Sequence, residues 1–113
     1  MSTQNLRRQP RGSANEAIRV SWQDPARGLV YLRGKCVDAS RTGMRIKLNM
    51  PIPRQSVISI LADGMGFAGN ASVRHVTRGG AFYSMGLELS HPLPQTWLDT
   101  FVTPHTPAET QLP

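Results

Sequence analysis

A short acid–hydroxyl–glycine motif, Asp38-x-Ser40-x-x-Gly43, is the first feature of this sequence with recognisable chemistry. A carboxylate such as that of Asp38 accepts hydrogen bonds from N–H donors, and the hydroxyl of Ser40 can both donate and accept. Gly43 has no Cβ, so another group can approach its backbone closely. The same residue types also favour an ordinary turn, because Asp and Ser side chains hydrogen-bond to turn backbone. The motif therefore predicts either a plain turn or a small polar binding site.

Arginines near the N-terminus are the second chemical feature. Arg7, Arg8 and Arg11 lie close together, and arginine outnumbers lysine eleven to two in the whole chain. The guanidinium group is planar and donates hydrogen bonds in a fork, which suits phosphates and the edges of guanine bases. A pair of arginines four residues apart is uninformative alone, because the chain contains three such pairs, at positions 7/11, 41/45 and 74/78.

Length and charge limit the kinds of protein that this chain can be. Its 113 residues and 12.4 kDa predict a single domain. The net charge is +6, and residues 1–50 hold ten basic and three acidic residues, whereas residues 51–113 hold three and four. This imbalance favours recognition of an anionic ligand by the N-terminal half.

Membrane and disulfide-rich classes are excluded by the composition. A single cysteine cannot form an intramolecular disulfide framework or a cysteine-based zinc site. No apolar run approaches the roughly 20 residues that cross a bilayer. The N-terminus has no apolar segment of the kind found in signal peptides. We therefore expect a cytoplasmic protein that is not inserted into a membrane.

Residues typical of catalysis are scarce. His75, His91 and His105 have no metal-ligand spacing, and no Ser/His/Asp combination or glycine-rich phosphate loop is present. His75 shares a predicted strand face with Val73, which favours a partly buried structural histidine. Cys36 lies on the apolar face of a predicted strand, which favours a packed thiol over a nucleophile. The sequence thus predicts no catalytic residue, no metal site and no cofactor.

Alternation of apolar and polar residues predicts six strands that must position these groups. They cover residues 17–22, 29–38, 44–48, 57–62, 67–77 and 81–89. Turn signals separate them, the strongest being Arg78-Gly79-Gly80-Ala81, where glycine tolerates a positive φ. Six short strands of this kind predict an antiparallel barrel or sandwich, and closing the sheet would remove its exposed edges.

The two ends of the chain have other patterns. Residues 1–16 show no periodicity and predict a flexible basic arm, residues 17–103 predict the barrel, and residues 104–113 predict a disordered tail. A short helix is predicted to begin near Pro94, with Trp97, Leu98, Phe101 and Val102 on one face. That face could close one end of the barrel or contact a partner.

Together the two motifs resemble the PilZ family of cyclic di-GMP receptors. The resemblance rests on Arg7-Arg8-Gln9-Pro10-Arg11 and, about thirty residues later, on Asp38-x-Ser40-x-x-Gly43. The strand Met44-Arg45-Ile46-Lys47-Leu48 that follows, together with Val73-Arg74 and Gly86-Leu87-Glu88-Leu89, is also similar to the family. The match covers roughly residues 6–102.

This resemblance implies an all-β fold, a six-stranded antiparallel barrel of PilZ type with a short C-terminal helix, in a bacterial signalling protein without enzymatic activity. It implies that cyclic di-GMP is bound by Arg7, Arg8, Arg11, Asp38, Ser40 and Gly43. The ligand presents two phosphates and two guanines, which suit arginine forks and a carboxylate acceptor. We expect the ligand to order the arm, and the ordered arm to change the surface that an unidentified protein partner contacts.

Two other functions compete with this hypothesis. The basic charge is typical of nucleic-acid-binding barrels. Against nucleic acid, Trp22, Tyr31, Phe67 and Phe82 mostly fall within apolar strand patterns, which leaves no exposed-aromatic pattern for stacking bases. The other alternative is a PilZ-like adaptor that has lost ligand binding. Both a monomer and a homodimer are compatible with the sequence.

Overall fold

Six antiparallel strands form a closed barrel in this computed structural model, which describes residues 12–101 and 103–104. The strands are β1 (Gly12–Asp24), β2 (Gly28–Ala39), β3 (Gly43–Leu48), β4 (Val57–Ala62), β5 (Phe67–Gly79) and β6 (Phe82–Leu89). Their order is β2-β3-β6-β5-β4-β1, and pairing of β1 with β2 completes the ring. The predicted six-stranded antiparallel barrel with a short C-terminal helix is confirmed.

Alternating side chains create one apolar core inside the ring. In β4, Ile58 and Ile60 point inward and are buried, whereas Val57 and Leu61 point outward. The barrel interior is completed by loop residues Ile52 and Leu93, which are 0% and 1% exposed. The burial of these apolar groups is the main stabilisation of the fold. The strand predicted over residues 57–62 is confirmed.

Strand β1 begins at Gly12, five residues before the start at Ala17 that alternation predicted. Gly12 lies opposite Ala39 of β2, and on its other side it pairs with Pro104 of the two-residue strand β7 (Thr103–Pro104). Residues 12–16 lack alternating apolar side chains, so pairing with β2 and not local pattern places them in the strand. The division into arm, barrel and tail at residues 16 and 103 stays a prediction.

A β-bulge in β5 overturns the prediction for His75. Val73 pairs with Leu87 and His75 pairs with Gly86, so Arg74 is an extra residue in the ladder. A bulge reverses the in–out alternation beyond it. His75 is therefore exposed instead of partly buried, and Val76 takes the inward position.

Helix α1 (Gln95–Phe101) begins directly after Pro94, as predicted. Leu98 belongs to the core, and the half-buried ring of Trp97 lies 5.8 Å from the ring of Phe67. The helix therefore packs against the barrel. Val102, His105 and the remaining tail residues 106–113 lie outside the described residues. Within the described ranges, no helix is long and apolar enough to cross a membrane.

Candidate functional site

The Asp38–Gly43 motif forms the connection between β2 and β3. The backbone N–H of Ser40 donates to the carbonyl oxygen of Gly43 at 2.9 Å, which closes a tight turn. Ser40 is only 3% exposed, and Gly43 is also buried. The structure thus brings three of the predicted site residues, Asp38, Ser40 and Gly43, into one turn at one end of the barrel.

Backbone hydrogen bonds tie this turn to the last residue of β6 and to the segment that follows it. Leu89 N–H donates to the carbonyl oxygen of Thr42 at 2.9 Å, and Leu93 N–H donates to that of Arg41 at 2.6 Å. The Nε of Arg41 in turn donates to the carbonyl oxygen of Leu93 at 3.2 Å. Paired backbone groups hold their geometry because breaking them without replacement costs free energy. The turn is therefore a fixed part of the barrel wall.

A second β-bulge turns Asp38 toward the outer face of the barrel. Cys36 pairs with Ile46 and Asp38 pairs with Arg45, which leaves Val37 as the extra residue. Without the bulge, Asp38 would share the inward direction of Cys36, which is 0% exposed. The Asp38 side chain is instead 19% exposed, so its carboxylate is reachable from outside.

Arg45 lies beside the turn but is not among the six residues that the sequence assigned to ligand binding. Its Nε lies 3.3 Å from Oδ2 of Asp38, its directly opposite neighbour on β2. The two residues stand on either side of the β2–β3 turn, where antiparallel pairing brings strand ends together. The placement of the two residues on either side of the turn was a signal available in the sequence. It was not sufficient, because the pairing register also depends on the bulge at Val37.

The neighbouring cation Arg74 is engaged elsewhere. Its Nε donates to Oε1 of Glu88 at 2.7 Å, and its Nη2 also contacts that oxygen. Glu88 lies opposite Gly43, so this ion pair borders the turn. Both side chains are about half exposed, and such pairs contribute little to stability. Glu88 is therefore paired with Arg74 and not with Arg41 or Arg45, the cations in the turn and directly after it.

Cys36 lies directly beneath the site as a packed thiol. Its Sγ donates to the carbonyl oxygen of Asp38 at 3.6 Å. Burial, followed by the negative charges of Asp38 and Glu16, raises the pKa of Cys36 to about 12. The thiol is therefore protonated at neutral pH, and the prediction of a packed cysteine is confirmed. Within the described part of the chain, no cluster of three or more His, Cys, Asp or Glu could hold a metal ion.

Arg7, Arg8 and Arg11 lie outside the described residues, so their participation stays a prediction. The structure does describe the residue after Arg11. Gly12 lies opposite Ala39 inside the motif, and Ser13 lies opposite Asp38. The chain therefore joins the barrel at the predicted turn and not at the far end.

Exposed aromatic side chains correct a further expectation. Trp22 and Phe67 are half-buried, as their apolar strand patterns indicated. Tyr31 and Phe82 are 73% and 51% exposed, because they lie on the outward-facing positions of their strands. The two exposed rings stand on different strands, β2 and β6.

Two solved structures share this arrangement of strands. The structure of the Bacillus subtilis inhibitor of motility, MotI/DgrA, matches with a TM-score of 0.63 and 14% sequence identity over 89% of this chain and 50% of that one. The PilZ domain of YcgR from Escherichia coli, solved with c-di-GMP, matches with a TM-score of 0.58 and 17% identity over 84% and 86%. The fold is of the PilZ type.

The predicted PilZ resemblance is thereby confirmed at the level of the fold. The chain spans half the length of the MotI/DgrA structure and most of the YcgR domain. No protein-family model and no curated protein matches the sequence.

Proposed function

We propose that this protein is a cyclic di-GMP receptor and adaptor, without enzymatic activity of its own, that couples the second messenger to a protein partner. The principal support is the cross-strand pairing of Gly12 with Ala39, because it starts β1 beside the acid–hydroxyl–glycine turn. The PilZ-type fold, which the YcgR domain solved with c-di-GMP shares, supports the choice of ligand.

The turn offers complementary groups to a guanine dinucleotide. The partly exposed carboxylate of Asp38 can accept hydrogen bonds from guanine N1–H and N2–H₂. The hydroxyl of Ser40 can donate to a phosphate oxygen or accept from an amine. Gly43 has no Cβ to hold the ligand away from the backbone. The guanidinium of Arg45, which lies beside Asp38, adds positive charge for the two phosphates.

The arginine motif can reach this turn from the start of β1. Arg11 immediately precedes Gly12, and Arg7 is five residues away from Gly12. Even a fully extended chain spans at most about 18 Å over five residues, so Arg7 can lie no farther than this from Gly12. Guanidinium forks of Arg7, Arg8 and Arg11 are therefore available for phosphates and guanine O6/N7.

Ordering of the arm supplies the coupling step. Fixing one backbone residue costs about 1–2 kcal/mol, and each good bidentate arginine contact contributes about 1–3 kcal/mol. The ligand must therefore supply several such contacts at once to offset the cost of fixing residues 7–11. The ordered arm then presents a new surface next to the Asp38–Gly43 turn, which a protein partner can distinguish from the free state.

Calorimetric titration and hydrogen exchange test the proposal together. We expect saturable binding of cyclic di-GMP, weaker binding of GMP and linear diguanylate, and slower amide exchange in residues 1–11 once the cyclic ligand is bound. Equal binding of GMP would contradict the assigned ligand. Tight, salt-sensitive binding of random oligonucleotides without binding of the cyclic dinucleotide would favour a nucleic-acid-binding barrel. A folded barrel that binds neither would favour an adaptor without a ligand.

A further inference from the structure

A shallow groove crosses the outer wall of the barrel, away from the Asp38–Gly43 turn. Tyr31 on β2 lies opposite Ser21 on β1, and Ser21 lies opposite Ser59 on β4. The two serines are small, so the flanking side chains stand above them and enclose a depression of about 480 Å³. Tyr31 and Leu61 are the large apolar side chains on its outer rim.

A second depression of about 390 Å³ adjoins the first. It lies among Arg19, Arg33, Leu61 and Asp63. Arg19 and Leu61, which are cross-strand partners, line both depressions, so the two lie side by side along this pair. We call them together the β1–β2–β4 groove. One part of this groove is mainly apolar, and the other part is basic.

Four large apolar side chains on β2 and β4 are exposed, and two of them, Tyr31 and Leu61, line the groove. Tyr31 is 73% exposed, Val57 65%, Leu29 53% and Leu61 37%. All four lie on the outward-facing positions of β2 and β4, the strands that border β1. Single exposed apolar residues are ordinary, but neighbouring ones around a depression mark an interaction site.

Like charges face each other beside the apolar part. Arg33 lies directly opposite Arg19, and Lys35 lies directly opposite Lys47. Directly opposed like charges destabilise a sheet. Arg19 is paired with Asp63, but Arg33, Lys35 and Lys47 form no ion pair with any other residue in the described ranges. An anionic group placed between them would remove this repulsion.

The chain itself shows that a carboxylate fits the basic part. Nη2 of Arg19 donates to Oδ2 of Asp63 at 2.5 Å, within the depression that Arg33 also lines. Arg33 lacks a corresponding acid among the described residues. The basic part of the groove therefore already holds the carboxylate of Asp63, and the guanidinium of Arg33 can bind another carboxylate.

We propose that the β1–β2–β4 groove docks a protein segment in which Asp or Glu residues adjoin apolar side chains. The apolar residues of that segment enter the depression beside Tyr31 and Leu61, and its carboxylates pair with Arg33 and Lys35. This proposal deepens the adaptor function, on which it rests, by giving the chemistry of the partner.

Charge and shape disfavour other occupants of the groove. A second copy of this chain in a two-fold contact would set the cations of the groove against their own equivalents. Single-stranded nucleic acid binds through several stacked aromatic rings, and of the described residues that line the two depressions only Tyr31 is aromatic. A flat lipid surface leaves a concave groove unfilled.

The groove and the candidate ligand site can be tested separately. Tyr31 is seven residues before Asp38 on β2, and strands rise by about 3.3 Å per residue, so the two side chains are roughly 23 Å apart along the strand. Tyr31→Ser therefore leaves the ligand turn intact, whereas Lys35 lies three residues, about 10 Å along the strand, from Asp38.

Fluorescence anisotropy with a labelled synthetic peptide of alternating Glu and Leu tests the proposal at physiological ionic strength. We expect it to bind the wild-type protein, and to bind at least about tenfold more tightly than a Glu/Ser peptide, which lacks apolar contacts. The double variant Arg33→Glu/Lys35→Glu should weaken binding at least about tenfold, because it replaces attraction by repulsion. Tyr31→Ser should weaken it about three- to tenfold.

Matched controls lie elsewhere on the surface. Arg54→Glu reverses an exposed charge, and Phe82→Ser removes another half-exposed ring, so both should leave peptide binding unchanged. All of the substituted side chains are exposed, which preserves the fold. Circular dichroism and the thermal midpoint of each variant verify this.

The proposal is overturned if the Glu/Leu peptide does not bind, or if the Arg33→Glu/Lys35→Glu and Tyr31→Ser variants bind it as tightly as the wild type. It is also overturned if oligothymidylate, or vesicles with equal parts of phosphatidylcholine and phosphatidylserine, bind more tightly through the same residues. A parallel titration with cyclic di-GMP separates the two proposals. Absence of peptide binding to the wild type, with normal cyclic di-GMP binding, refutes only the groove. Peptide binding to a wild type that does not bind cyclic di-GMP refutes only the ligand assignment.

Discussion

The Nε of Arg45 lies 3.3 Å from Oδ2 of Asp38 across the β2–β3 pair. The extra residue Val37 produces this contact, since it turns Asp38 from the core side of β2 to the outer side. The barrel therefore presents an acceptor carboxylate and a guanidinium side by side, at the turn where β1 also begins. A ligand that combines N–H donors with phosphates can donate hydrogen bonds to the carboxylate and place a phosphate beside the guanidinium.

Substitution of Arg45 tests whether this cation contributes to the ligand site. We expect Arg45→Ala to weaken cyclic di-GMP binding about three- to tenfold, because it removes a positive charge near the phosphates and releases the Asp38 side chain. Calorimetric titration measures the change. Arg54→Ala, at an exposed loop position, removes the same charge and should have no effect. Equal losses in both variants would show that only overall charge matters.

Ser40 allows the structural and functional roles of the motif to be separated. The turn is closed by the backbone N–H of Ser40, which an alanine retains. We expect Ser40→Ala to change the free energy of unfolding by less than about 1 kcal/mol and to weaken cyclic di-GMP binding about tenfold. Urea unfolding and calorimetry give the two values. A large loss of stability with unchanged affinity would show that the serine serves the fold alone.

Alkaline pH tests the environment of Cys36. Its pKa is raised from 9.0 to about 12 by burial and by the charges of Asp38 and Glu16, so above about pH 9 the unfolded chain loses a proton that the folded chain keeps. The free energy of unfolding should therefore fall by about 1.4 kcal/mol for each pH unit between these values, in addition to other titrations. Below about pH 9 this contribution is fully retained.

The matched variant is Cys36→Ala, which lacks the titrating thiol. Urea unfolding at several pH values should show a shallower alkaline decline for the variant than for the wild type. Parallel declines in the two proteins would contradict the raised pKa.

Gly34 marks a close approach of two strands. A Cβ at this position would overlap the carbonyl oxygen of Lys47 and Cδ2 of Leu48, and the backbone atom cannot move aside cheaply. We expect Gly34→Ala to lower the free energy of unfolding by about 1–3 kcal/mol, measured by urea denaturation. Gly79→Ala is the control, because a Cβ there meets nothing within 4 Å, and its change should stay within about 0.5 kcal/mol. Equal effects would contradict the tight packing at Gly34.

Local pattern was sufficient to predict the barrel strands whose side chains alternate. β3 follows from the alternation of Met44, Ile46 and Leu48 with basic residues, and the helix start after Pro94 follows from proline at the first turn. Tertiary pairing decided the rest. The start of β1 at Gly12 and the strand β7 have no apolar alternation, so only their partners make them strands.

Bulges explain the remaining differences between sequence and structure. The extra residue Arg74 turned His75 outward, and the extra residue Val37 brought Asp38 to Arg45. Neither bulge has a strong local signature, because any residue can be inserted into a ladder when its neighbours fix the register. The motif itself was predicted from residue types, since Asp38, Ser40 and Gly43 are adjacent in sequence and need no long-range contact to form the turn.

The most direct test of the account is a calorimetric titration of cyclic di-GMP into the wild type and into the variants Arg11→Ala and Asp38→Ala. One variant changes the arm and the other changes the turn, so a ligand held between the two must respond to both. We predict saturable binding to the wild type and a loss of at least about tenfold in each variant, with unchanged circular dichroism. Absence of binding to the wild type, or wild-type affinity in either variant, would contradict the convergence of arm and turn on one ligand.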